Sequence, residues 1–294
     1  MSARIIGMLT ACILAAAVAS PAQQGVAESF DSNGVPIHFV DRGSGVPVVL
    51  LHGFTGSYAR HWEAPGVMEA LANAGYRVIA MDCRGHGQSG KPHEPGRYGL
   101  EMVQDVVRLL DRLKIDRAHI VGYSMGGAIA SQLLVNYPAR LITATLLGAG
   151  WEGEELNVLR SQMTALADGF AHNDASALIR AVTSSGQNAP APTEAEVAAL
   201  NASLFARNDP QALAAVARGM ASLFDISAER LRATTIPVLA IVGEHDETNV
   251  AAVRRMKGVM PRLEVVELPG ANHATSVRPS ARPLVAFLNR QKPH

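Results

Sequence analysis

Apolar positions along the chain fall into two rhythms. Short, mostly apolar runs rich in Val and Ile recur at residues 46–51, 77–81, 119–122, 142–147, 238–242 and 263–267, and longer stretches between them return to an apolar residue every three or four positions. Runs this short, without the alternation of a half-wet strand, predict strands buried on both faces of a mostly parallel sheet, with helices covering it on each side. Ahead of them, Asn33-Gly34 stands between two extended runs. That pair favours the tight turn of a hairpin, so the fold is expected to open with antiparallel strands.

The alternation breaks between Trp151 and Arg232. Leu156, Leu159, Met163, Leu166 and Phe170 make one apolar helical stripe. Thr193 with Glu196 three residues on is a capping box, and Asp209-Pro210 supplies a cap and a first-turn proline. A Ser-, Pro- and Ala-rich loop at 184–192 separates the stripe from these starts. The stretch is expected to be a helical cap, inserted between two late strands and lying over the carboxyl edge of the sheet, where ligands of such sheets bind. The expected organisation is therefore a leader at 1–22, a first core part at 26–150, the cap at 151–232 and a second core part at 233–294.

Charge narrows the range of partners. Lys plus Arg and Asp plus Glu number 26 each, so no net charge draws the chain to nucleic acid or to an anionic membrane. Residues 5–20 are uncharged, follow Arg4 and end among small residues, the form of a secretory signal peptide. Export to the periplasm or medium is expected, with no stable membrane insertion once the leader is removed. Leu9-Thr10-Ala11-Cys12 has the outline of a lipid-attachment box, but the apolar run before it is short. Loss of the leader would leave Cys83 alone, without a disulfide partner. Cys83 is expected to be a buried spacer, since nothing near it in sequence reads as its base.

The sharpest chemical signal is Gly122-Tyr123-Ser124-Met125-Gly126-Gly127, placed after a strand and before an amphipathic helix. The glycine and serine spacing alone arises by chance often enough that context must carry it. A serine at so sharp a strand-to-helix turn needs small neighbours, and its hydroxyl then stands at the positive end of a helix. A hydroxyl is a weak nucleophile and needs a base. His273, in a loop after the last strand, is the candidate; His52, His86 and His119 stand at less suitable places. The acid that would orient the imidazole is Asp246, three residues past Gly243, with Glu152, Glu244 and Glu247 as rivals. Backbone N–H groups of Met125 and Phe54 are candidates for an oxyanion hole, because each follows directly on a strand-end motif.

Taken in order, His52-Gly53-Phe54, the stretch from Asp82 to Ser89, the serine turn, Gly243 to Asp246 and Asn272-His273 resemble the motif set of the α/β-hydrolase family. The resemblance runs from about Phe30 to Asn289. It implies Ser124 as nucleophile, Asp246 as acid, His273 as base, and Phe54 and Met125 as oxyanion amides. Asp82 and Arg84 match a turn of that family that braces the loops around the site. Members resembling dehalogenases and epoxide hydrolases carry an aspartate at the position of Ser124, which stands against those chemistries here.

The expected activity is hydrolysis of a small-molecule carboxylic ester through an acyl-enzyme, with no metal or organic cofactor. The same triad also serves perhydrolysis, lactone hydrolysis and carbon-carbon bond hydrolysis, and a hydrolase-like fold can bind a ligand without turnover. Trp151, Met220 and Phe224 are expected to wall the substrate pocket, although the cap's apolar stripe could equally do no more than pack on the sheet.

Overall fold

The computed structural model describes residues 25–183 and 192–292. The expected leader and all but Pro192 of the loop at 184–192 lie outside them.

An eight-stranded sheet forms the centre, made of β1 (Val26–Asp31), β2 (Pro36–Arg42), β3 (Val46–Leu51), β4 (Tyr76–Met81), β5 (Ala118–Tyr123), β6 (Leu141–Leu147), β7 (Val238–Gly243) and β8 (Glu264–Leu268). Their spatial order is β1-β2-β4-β3-β5-β6-β7-β8. The pairs β1/β2 and β2/β4 are antiparallel and all others parallel. The opening hairpin closes as Asn33-Gly34 predicts. Ser32 and Val35 exchange backbone hydrogen bonds of 2.9 and 3.3 Å, and both central residues have positive φ, 57° and 76°.

Period-two geometry explains how continuous apolar runs serve two cores. Val49, Leu51 and Ile79 face α2 (Leu100–Arg112), α3 (Met125–Asn136) and α9 (Glu247–Val259). Val48, Leu50 and Val78 point the other way, to α1 (Val67–Asn73) and α10 (Val277–Arg290). Every one of these six strand residues is fully buried.

After β6 the chain leaves the sheet for α4 (Asn157–Ala171), α5 (Ser176–Thr183), α6 (Glu194–Phe205), α7 (Pro210–Met220) and α8 (Ala228–Arg232), and it returns at β7. Thr193 and Glu196 form the reciprocal capping box of α6, and Asp209 caps α7 ahead of Pro210. These helices hold their own apolar cluster around Phe170, Ile179, Val197 and Leu213, and Phe54 from the sheet side packs against it. The apolar stripe of α4 divides. Phe170 is buried within the insertion, while Leu159, Met163 and Leu166 line a cavity that also borders Ser124.

Chain order reverses direction between β3 and β5. From β3 the chain moves outward to β4, then crosses back to β5 on the opposite side of β3. The carboxyl ends of β3 and β5 therefore diverge around one crevice; Ser124 follows directly on β5, and Phe54 lies three residues past the end of β3.

Candidate active site

Ser124 sits between β5 and α3 with φ 53° and ψ −114°, a left-handed backbone rarely adopted by a residue with a side chain. The bend brings backbone so close that small residues are obligatory on either side. A Cβ on Gly122 would strike the carbonyl of Gly126, and a Cβ on Gly126 would strike the carbonyl of Leu51. The turn is closed by hydrogen bonds from the amides of Gly127 and Ala128 to Ser124 O, at 2.8 and 3.1 Å.

His273 reaches this serine from the loop after β8. Its Nε2 lies 3.1 Å from Ser124 Oγ, and its Nδ1 lies 2.7 Å from Asp246 Oδ2. Asp246 is only 3% exposed. A buried carboxylate that close holds the proton on Nδ1 and leaves the Nε2 lone pair facing the serine hydroxyl. Asp246 is aimed inward by a turn in which its own N–H donates to Gly243 O at 3.0 Å. The acid and histidine loops are tied together by the His245 amide on Ala271 O at 2.8 Å and the Glu244 amide on Leu268 O at 3.0 Å. Asn249 donates to both carboxylate oxygens of Asp246, at 2.9 and 3.0 Å. Tyr123 stacks on the imidazole of His273, centroids 5.1 Å apart, and gives its hydroxyl proton to His273 O at 3.0 Å.

The rival residues have other partners. Glu244 accepts the amide of Gly270 at 2.8 Å, Glu247 lies exposed in the first turn of α9, and Glu152 is paired with Arg255 at 3.1 Å. His119 sits within β5 against Thr143, 2.8 Å away. His52 is fully buried and spent on the loop itself: Nε2 accepts the Cys83 amide at 2.9 Å, so the proton resides on Nδ1 and is donated to Gly53 O at 2.8 Å. Burial lowers its pKa against the opposing pull of Asp82.

Sequence reading missed His61. It rides a π-helical turn at Ala59–Glu63, and its Nδ1 accepts the amide of Gly53 at 3.1 Å. Burial, then the neighbouring His52, Arg60 and His273, depress its pKa to about 3. The imidazole is thus neutral with its proton on Nε2. No local motif marks it, because Gly53 meets it only through the folded loop. Asn249 is likewise unmarked, and Tyr123, although it stands in the serine motif, meets His273 only once the chain is folded.

Next to these, the amides of Phe54 and Met125 donate to no protein acceptor among the described residues. Phe54 borders both cavities around Ser124 and Met125 the smaller one, so two N–H groups without a protein acceptor belong to residues beside the serine. Bracing comes from below. Asp82 accepts the amides of Tyr58 and Gln88, each at 2.9 Å, and Arg84 donates to Asp105 Oδ2 at 2.7 Å with both side chains fully buried. Cys83 is buried, and its thiol pKa is raised, mainly by that burial.

Two cavities meet at Ser124. One of about 370 Å³ is bordered by Arg60, His61, Tyr123, Leu178 and His273. The other, about 210 Å³, is bordered by Met125, Glu152, Leu159, Met163, Met220 and Phe224. Met220 and Phe224 thus border a cavity that Ser124 also borders. Trp151, expected at the same wall, borders neither Ser124 cavity: its indole N–H donates to Ile226 O at 2.8 Å, and it borders a separate small void that Phe224 also borders. That hydrogen bond joins residues 75 positions apart, something the place of Trp151 in the sequence could not convey.

Comparison with known proteins places the chain in context. A family model described as the alpha/beta hydrolase fold matches residues 46–277. Bifunctional epoxide hydrolase 2 of Sus scrofa is 36% identical over 127 residues, 42% of this chain and 22% of the pig protein. This chain thus spans far less than two thirds of that relative. A 2-hydroxy-6-oxononadienedioate/2-hydroxy-6-oxononatrienedioate hydrolase of Burkholderia vietnamiensis is 39% identical over 125 residues, 42% of this chain and 43% of that protein. Among solved structures, one described as an N-acyl homoserine lactone degrading enzyme superposes with a TM-score of 0.66 at 26% identity, covering 90% of this chain and 99% of the other.

Proposed function

The chain belongs to the alpha/beta hydrolase fold family, and from that premise we propose that it is a serine hydrolase cleaving carboxylic esters through an acyl-enzyme on Ser124. The observation that carries this reading is the unbroken relay from Asp246 through His273 to Ser124, at 2.7 and 3.1 Å, beside two unspent backbone amides.

Ser124 Oγ bonds to the ester carbonyl carbon while its proton passes to His273 Nε2. Negative charge gathers on the former carbonyl oxygen, where the amides of Phe54 and Met125 stabilise it. Asp246 offsets the positive charge then carried by the imidazole. When the bond to the leaving oxygen breaks, His273 gives that oxygen the proton. Water repeats the sequence against the acyl-serine, with His273 again taking and returning a proton, and releases the carboxylic acid.

The serine also argues against borrowing the epoxide substrates of one set of relatives, since the resemblance gives such members an aspartate at the elbow. A lactone is a cyclic ester, so likeness to a lactone-degrading enzyme keeps cyclic substrates within this proposal. Export remains part of the proposal on the strength of the leader alone.

Treatment of the purified protein with a fluorophosphonate tests the reading. Covalent labelling of the native protein, absent from Ser124→Ala, together with turnover of p-nitrophenyl esters, is the expected result. Native protein that neither labels nor turns over any ester would leave a ligand-binding role in its place.

A further inference from the structure

The two cavities at Ser124 differ in what borders them. Ser124 and Phe54 face both, but His273 faces only the larger and Met125 only the smaller. Position relative to His273 decides which half of an ester each can take. A general acid must lie within hydrogen-bond reach of the atom it protonates, so the leaving oxygen sits at His273 Nε2 and its substituent runs on into the larger cavity. The acyl group stays on Ser124 with its carbonyl oxygen at the Met125 and Phe54 amides, and its chain extends into the smaller one.

Chemistry separates the two sides as well. The smaller cavity is walled by Leu159, Met163, Met220 and Phe224, and its carboxylate, Glu152, is already bound to Arg255 at 3.1 Å. On the larger side stand Arg60 and His61, adjacent on the π-helical turn. The guanidinium of Arg60 makes no hydrogen bond or ion pair among the described residues, and the residue is exposed. His61, committed through Nδ1 to Gly53, has its Nε2 proton left to give. Donors therefore gather on this wall, and no carboxylate is among its lining residues. An arginine presents a planar fork suited to an oxyanion, and a single uncommitted cation at a cavity rim favours a negatively charged occupant.

We infer that the larger cavity is the leaving-group subsite and that Arg60, with His61, selects esters whose alcohol portion carries a carboxylate or similar anionic group, while the smaller cavity takes an apolar acyl chain. This rests on the ester-hydrolase reading given above.

Three esters test it on the intact protein: the butanoate of para-hydroxybenzoate as the free carboxylate, the methyl ester of that compound, and the hemisuccinate of methyl para-hydroxybenzoate. The first places the negative charge on the leaving side, the second has none, and the third places it on the acyl side. Arg60→Gln is expected to lower the kcat/KM ratio of the first to the second by about five-fold, mostly through KM, as befits an exposed ion pair, with the effect shrinking as salt is raised. Comparing native and variant proteins cancels differences in leaving-group reactivity. The hemisuccinate should show no matching loss relative to the neutral ester. A ratio that Arg60→Gln does not move, or a loss confined to the hemisuccinate, overturns the assignment even if turnover and fluorophosphonate labelling are intact. Absence of both labelling and turnover would bring down the ester reading and this inference with it.

Discussion

His61 accepts the backbone N–H of Gly53 on Nδ1 at 3.1 Å, so one ring both walls a cavity and pins the residue immediately before Phe54. The position of the Phe54 amide depends on that bond. Replacing His61 by Ala strands a part-buried N–H and loosens the loop, and kcat on a neutral ester is expected to fall by about ten- to a hundred-fold, short of the full loss of an oxyanion donor. Asn carries an acceptor at the place of Nδ1, so His61→Asn should recover most of the lost kcat. If Ala and Asn variants behave alike, the Gly53 bond is not what positions the amide.

Asp246 fixes which nitrogen of His273 holds the proton. In Asp246→Asn the side chain can present its amide N–H to Nδ1, which favours the wrong tautomer, and kcat should drop by about 10⁴ with the fold retained. Kinetics and circular dichroism on the variant check both halves. A loss under about tenfold would transfer the role to another acid, for which Glu152 is the one rival bordering a Ser124 cavity.

Gly126 is held to a hydrogen atom by the carbonyl of Leu51. Adding a methyl group in Gly126→Ala drives the serine turn away from β3, and a penalty at or above the upper end of the usual overpacking cost, about 3 kcal/mol, is expected. Urea denaturation reads it directly. An unchanged midpoint would mean that the elbow is softer than its packing implies.

Acid should weaken the fold through its neutral histidines. Burial first, with nearby His52 adding to it, takes His61 and His86 from the ordinary 6.5 down to about 3. Between those values the unfolded chain binds protons that the folded one refuses, so stability is fully present above 6.5 and is lost as pH falls toward 3. At pH 5 the loss is on the order of 2 kcal/mol for each of the two groups. Tm measured at pH 7.5 and pH 5 should therefore fall; equal values at both would argue that the two rings are protonated in the folded state or gain solvent there.

Much of the fold was legible because it depends on local periodicity. Apolar runs at 46–51, 77–81, 119–122, 142–147 and 238–242 became strands covered on both faces, Asn33-Gly34 turned tightly with positive φ, and Ser124 between Gly122 and Gly126 declared a strand-to-helix bend; the run at 263–267 also became a strand, but β8 stands at the sheet edge with Glu264, Val265 and Glu267 exposed. Ser124, His273 and Asp246 could likewise be nominated from residue type, order and strand-end position, and folding brings them within hydrogen-bond distance.

What chain order could not convey is adjacency between distant segments. Nothing local says that β5 lies beside β3 with β4 on the other side, yet that arrangement is what brings Phe54 and Met125 to one crevice. His61 drew no notice until the loop folded its ring onto Gly53, and Trp151, expected at the pocket wall, gives its indole N–H to Ile226 instead. The division of the site into a cationic side at Arg60 and an apolar side at Met163 likewise exists only where separate elements meet. Sequence alone determined the strands, the bend and the reactive residue types, because short-range sterics and periodic burial act within a few residues. Tertiary structure decided the partners of each group, because hydrogen bonds and cavities form between segments whose separation along the chain has no bearing on their distance in space.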